Sequence, residues 1–171
     1  MTAAKPPHYL AAYQPFWPAR PFTLLEIGVH TGGSMRLWRA WFPESVIVGL
    51  DHDISQTAPI EGVHLREGDQ SDPAVLEALV AEFGGFDVVI DDGSHIWDHQ
   101  QLAFAHLWPY TRRWYAIEDL ETCYPGLIRP DHSEWAHGRN TMDWLHDWVD
   151  NVHESGGSPI HFWPGLALIE R

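Results

Sequence analysis

Residues 86–95, FDVVIDDGSH, are the stretch from which the rest of the chain is read. Val88, Val89 and Ile90 form an unbroken apolar, β-branched run, the pattern of a strand buried on both faces. The run stops on Asp91, Asp92, a glycine, a serine and His95. Ligands of open parallel sheets bind beyond the carboxyl ends of the strands, so these polar residues are expected to crown a crevice. A second run, Tyr115-Ala116-Ile117, stops in the same way on Glu118 and Asp119. Four carboxylates at two neighbouring strand ends repel one another unless a cation or a cationic ligand lies among them.

Working upstream, Thr23 to Ile27 reads as the first buried strand, and it runs into GVHTGGS. Glycines 28, 32 and 33 between a strand and a helix permit a tight turn and close backbone approach to a ligand. The spacing is not a strict GxGxxG. The helix that follows, Met35 to Trp41, is expected to start from Ser34 as its N-cap. Ser45 to Leu50 is a second strand ending in Asp51. An acid there, roughly 20 residues beyond the glycine turn, is where nucleotide-binding α/β folds hold a ribose diol. Val63 to Arg66 is a third strand with Asp69 and Gln70 at its end. Asp72 is placed to cap the next helix, with Pro73 at its first position. The apolar spacing of Val75 to Phe83 is helical, and Gly84-Gly85 ends it.

Downstream, Ile96 to Trp108 reads as a helix, Trp114 to Ile117 as the fifth strand and Asn140 to His153 as an amphipathic helix. Ile160 to Trp163 and Leu166 to Ile169 flank Pro164-Gly165, a hairpin signal. Strands alternating with helices, closed by an antiparallel hairpin, specify an α/β fold with a mostly parallel sheet of about seven strands. Residues 1–171 form one domain in this reading. Residues 1–22 are an arm that either packs over the sheet or covers a ligand as a lid, a role suited to Tyr9 and Tyr13.

The formal charge of −14 argues against nucleic acid or an anionic membrane as the partner, because both call for a basic patch. The only adjacent cations are Arg112 and Arg113. One cysteine, Cys123, excludes an internal disulfide and fits a reducing cytoplasm. No apolar run approaches the ~18 residues of a membrane span. Ten tryptophans are many for this length; some are expected in the core and a few are expected to line a pocket.

Taken together, LEIGVHTGGSMRLWRAWFPES, VGLDHD, EGDQSDP, FDVVIDDGSH and YAIEDLETCYPG resemble the class I S-adenosylmethionine-dependent methyltransferases. Among these the sequence is similar to the metal-dependent sugar O-methyltransferases of macrolide antibiotic biosynthesis, the macrocin and mycinamicin type. The resemblance covers nearly the whole chain and implies a Rossmann-like fold. It implies S-adenosylmethionine contacts at Glu26, Gly28, Thr31, Gly32, Ser34, Asp51, Asp69, Gln70 and Asp91. It further implies Mg2+ or Mn2+ held by Asp92, Glu118 and Asp119, with His95 as the base. The partner it implies is a small-molecule acceptor, a sugar or glycosylated natural product, and assembly as a homo-oligomer is left open. The lead-in Ala3-Ala4-Lys5 receives no site role.

A sugar hydroxyl is almost wholly protonated at neutral pH and is a poor nucleophile. A hard cation on oxygen ligands lowers its proton affinity, and a histidine three residues beyond Asp92 can accept the proton. Other readings of the same residues stay open. Asp91-Asp92 could cap a helix, and His95 could be a packing residue. His95 and His99 have the i, i+4 spacing of a zinc motif, but Ile96 stands where HExxH needs an acid. His132 and His137 could be solvated or could line the acceptor site. The fold could also bind S-adenosylmethionine without transferring its methyl group, as a scaffold, or serve a cyclase or hydroxylase reaction.

Overall fold

The computed structural model describes residues 5–124 and 137–171. Helix α1 (Pro7–Tyr13) precedes β1 (Thr23–Ile27), α2 (Gly33–Trp41), β2 (Val46–Asp51) and β3 (Val63–Glu67). There follow α3 (Pro73–Phe83), β4 (Phe86–Asp91), α4 (Trp97–Leu107), β5 (Thr111–Ile117), α5 (Thr141–Ser155), β6 (Ile160–Trp163) and β7 (Leu166–Glu170). The seven strands lie in the order β3-β2-β1-β4-β5-β7-β6. The first five are parallel, and β7 is antiparallel to both β5 and β6. The expected Rossmann-like architecture with a C-terminal antiparallel hairpin is therefore present. The chain moves outward from β1 to β3 and then returns to place β4 on the other side of β1. That reversal opens a crevice at the carboxyl ends of β1 and β4.

Helices cover both faces, which is why the central strands carry apolar residues at nearly every position. Leu25, Ile27, Val89, Tyr115 and Ile117 face α3, α4 and α5. Leu24, Val88, Ile90, Trp114 and Ala116 face α1 and α2. The period-two alternation continues past the apolar residues. Register pairs Asp91 with Ile27 on one side and Ile117 on the other. Asp91 therefore shares their face, whereas Glu26, Asp92 and Glu118 are directed toward α1 and α2.

The arm packs on that second face. Tyr9, Ala12 and Tyr13 are buried, and the Tyr13 ring stacks on Trp114 with centroids 5.3 Å apart. Asp72 caps α3 through the N–H of Ala74 at 2.9 Å, and Gly84 ends the helix at φ 70°. The start of α2 differs from expectation. Gly32, at φ 77°, is the residue before the helix, and Ser34 lies inside the first turn. A left-handed glycine turns the chain without a side-chain cap. Asn140 caps α5 through the N–H of Met142. Among the described residues no helix is long and apolar enough to cross a membrane.

Candidate active site

The crevice is a cleft of about 700 Å³, within the size range of small-molecule sites. Gly28, Thr31, Ser34, Asp51, Asp69 and Gln70 line it, and Asp92, Gly93, Ser94, His95 and His99 close its β4 side. Two glycines allow the walls to meet. A Cβ on Gly28, at φ 93°, would collide with the carbonyl of Asp92. A Cβ on Gly93 would collide with the Gln70 side chain.

Asp51 anchors the glycine turn from the end of β2. Its Oδ2 accepts the N–H groups of Val29 and His30 at 2.7 and 2.8 Å. Its Oδ1 accepts the N–H of Asp53 at 3.1 Å. Partial burial works against ionisation, but the backbone donors His30, Asp53 and Val29 outweigh it and hold this carboxyl below the usual range. The carboxylate stays charged, and acceptor capacity remains on its cleft side. Asp69 is likewise held low by the N–H and hydroxyl of Ser71. Gln70 is a brace: its amide oxygen accepts the N–H of Ser94 at 2.7 Å and its amide nitrogen donates to Asp91 at 3.2 Å.

Three expected cofactor contacts do not line the cleft. Asp91 is fully buried below the cleft, where Gln70 and the Tyr115 hydroxyl donate to it. Burial pushes its carboxyl up to about 6 against those hydrogen bonds. Glu26 is fully buried on the α1 face and accepts the Trp38 indole N–H at 2.6 Å. Gly32 shapes the turn before α2 without reaching the cleft. Strand alternation accounts for the two acids: Glu26, one residue before the end of β1, and Asp91, the last residue of β4, lie on opposite faces of the sheet, and each points into the layer of core on its face.

The acids expected to hold a cation divide in the same way. Asp92, His95 and Asp119 each offer a ligand atom, and these atoms lie within 4.8 Å of one another. His95 and Asp119 reach this arrangement from left-handed backbones, φ 59° and 54°, conformations that cost energy for residues other than glycine and cluster at functional sites. The His95 Nε2 lies 3.5 Å from an Asp119 oxygen. Its buried Nδ1 has no hydrogen-bond partner among the described residues. Two carboxylates beside an imidazole fit a divalent cation of the Mg2+ or Mn2+ kind held on oxygen, with a base next to it.

Glu118 is not part of that cluster. Its side chain is 1% exposed, one oxygen accepts the Tyr13 hydroxyl at 2.6 Å, and the other lies 3.0 Å from the Lys5 ammonium. Burial pushes Glu118 up to about 8; Lys5 opposes this, while Asp92 and Glu26 add to it. Lys5 also pairs with Glu26 at 2.6 Å and Asp92 at 2.5 Å. Burial alone would lower the Lys5 pKa, but these three carboxylates hold it well above the ordinary value.

Sequence reasoning gave Lys5 and Ser94 no site role and weighed His99 only as half of a zinc spacing or as a substitute for His95; His99 borders the cleft, and its Nδ1 lies 3.1 Å from the Ser94 hydroxyl. One signal for Lys5 was present: it is the only lysine in the chain. His132 lies outside the described residues, and His137 is exposed.

No protein-family model matches the sequence. The chain is 35% identical over 158 residues to 8-demethyl-8-(2-methoxy-alpha-L-rhamnosyl)-tetracenomycin-C 3'-O-methyltransferase of Streptomyces olivaceus, covering 86% of this chain and 40% of the relative. It is 42% identical over 116 residues to mycinamicin VI 2''-O-methyltransferase of Micromonospora griseorubida, covering 61% of this chain and 29% of the relative. Among solved structures, the MycE methyltransferase of the mycinamycin pathway, in complex with Mg, SAH and mycinamycin VI, superposes with a TM-score of 0.77 at 31% identity. That match covers 96% of this chain and 48% of the other. The chain thus spans half or less of the length of these relatives.

Proposed function

We propose that this chain, which has the class I methyltransferase fold and is related in sequence to the sugar O-methyltransferases of macrolide and related antibiotic pathways, methylates a hydroxyl of a sugar or other vicinal-diol natural product. The methyl donor is S-adenosylmethionine. One observation carries the reading: Asp51 and the glycine turn face the same cleft as Asp92 and His95. A nucleoside-like ligand held on the β1–β2 side would present its far end to the acid–histidine side.

In this reading Asp51 accepts hydrogen bonds from the ribose hydroxyls, and Gly28 lets the ligand approach the backbone. Asp69, Gln70, Thr31 and Ser34 complete the wall of the cofactor half. Asp92 and Asp119 are the carboxylates that would hold Mg2+ or Mn2+, beside His95. Such a cation, when bound, supplies a Lewis acid that lowers the proton affinity of the acceptor oxygens and fixes their direction. His95 takes the hydroxyl proton on Nε2, the nitrogen that faces Asp119. The acceptor oxygen then forms a bond to the methyl carbon as the carbon–sulfur bond breaks, and S-adenosylhomocysteine leaves. Alignment of donor and acceptor in one cleft is the main contribution of the protein to the rate.

Residues 1–171 act as one methyltransferase unit in this account, with residues 1–22 as its arm and a small glycosylated molecule as its partner in the cytoplasm. The test is a screen of glycosylated acceptors with S-adenosylmethionine, read by mass. A one-methyl gain that EDTA abolishes and Mg2+ restores supports the reading. Full turnover in EDTA removes the cation from it.

A further inference from the structure

The cation-binding half of the proposed site contains a cation of the protein's own. Strand alternation directs Glu26, Asp92 and Glu118, at the ends of the neighbouring strands β1, β4 and β5, toward the face covered by α1. Lys5, two residues before α1, places its ammonium among them. Its distances are 2.6 Å to Glu26, 2.5 Å to Asp92 and 3.0 Å to Glu118, and its side chain is 1% exposed. It is also the only lysine in the sequence. A buried ammonium is stable only where carboxylates surround it, and here two of them, Asp92 and Glu118, are acids that the sequence reading assigns to a metal.

We propose that Lys5 is a positioning residue that divides this acidic cluster in two. The inner half, Glu26 and Glu118, is closed by the ammonium, and the outer half, Asp92 and Asp119 with His95, is left for a single divalent cation. Glu118 is then the partner of Lys5 and Tyr13 and not a metal ligand. Both of its oxygens are engaged and the group is buried, so a hydrated ion has no path to it without displacing the lysine. Asp92 spans the two halves. One oxygen binds Lys5, which fixes the rotamer in which the carboxylate meets Asp119 and His95. The inference rests on the metal reading given above for the outer half, while the burial of Lys5 does not.

The test has two independent arms. In the first, the protein is treated with an amine acylating reagent in its native state and after unfolding, and modification of Lys5 is followed by mass. Lys5 is expected to stay unmodified in the native protein and to react once it is unfolded. Equal reaction in the two states would overturn the clamp. In the second arm, Mn2+ binding is titrated by electron paramagnetic resonance. The native protein is expected to bind one ion, and Glu118→Gln to change its affinity by less than about tenfold. Lys5→Met is expected to bind Mn2+ at least about tenfold more tightly, because a positive charge beside Asp92 is gone. A merely structural lysine would leave that affinity unchanged or weakened, and either result overturns the proposal. Loss of Mn2+ binding in a folded Glu118→Gln protein makes Glu118 a ligand and overturns it as well. If native protein with a protected Lys5 binds no Mn2+, the metal reading falls and the clamp stands.

Discussion

The backbone of Gly28 lies against the carbonyl of Asp92 so closely that a methyl group has no room between them. This contact joins the end of β1 to the end of β4, and thereby the cofactor half of the cleft to its acidic half. Gly28→Ala adds that methyl and also forces a side chain onto a backbone at φ 93°. The substitution is expected to destabilise the fold by about 2–4 kcal/mol, measured by denaturant unfolding. A variant within about 0.5 kcal/mol of the native protein would show that the two strand ends are free to move apart.

Asp51 has two tasks, holding the turn after β1 and accepting hydrogen bonds from a ligand. Asp51→Ala is expected to weaken S-adenosylhomocysteine binding by roughly 1.5–3 kcal/mol, the range for lost hydrogen bonds to a charged group. An unchanged dissociation constant would remove Asp51 from the site.

Asp91 gives a pH signature. Its carboxyl is pushed up to about 6 by burial, above the unfolded value of about 3.9. A raised carboxyl favours the folded state while protonated, so this contribution is complete below the unfolded value and is lost as pH rises through about 6. Asp91→Asn keeps the shape and removes the titration. The stability of the variant relative to native should therefore rise between about pH 4 and pH 7, by on the order of 3 kcal/mol. Denaturant unfolding at several pH values reads the difference, and parallel profiles would contradict it.

Much of this was legible in the chain itself. The largely apolar stretch at 24–27, the β-branched run at 88–90, the Asp72-Pro73 start and the Gly84 stop act through local sterics and hydrogen bonding, so their sequence is their structure. The glycine turn and Asp51 were readable for the same reason. What was not legible is which acid of each pair faces the cleft. Asp91-Asp92 and Glu118-Asp119 look equivalent in sequence. On a pleated strand end neighbouring side chains diverge, so Asp91 points into the core and Glu118 toward the arm. Lys5 was hidden for a different reason. A lysine beside two prolines near the start of the sequence has the composition of a solvated arm, and only the tertiary docking of α1 brings it to acids 21, 87 and 113 positions away.

His95 separates methyl transfer from cofactor binding alone. His95→Ala should bind S-adenosylhomocysteine like the native protein, while turnover falls by roughly 10²–10⁴, the contribution of a positioned base. Intact turnover accompanied by a lower melting temperature would make the histidine a packing residue whose left-handed backbone serves the turn.

The central claim is that the cleft between β1 and β4 is a site for S-adenosylmethionine, and calorimetric titration of the native protein with S-adenosylhomocysteine tests it most directly. The account predicts saturable one-to-one binding with Mg2+ present, accompanied by a concentration-dependent rise in melting temperature. No heat of binding and an unmoved melting temperature would contradict it.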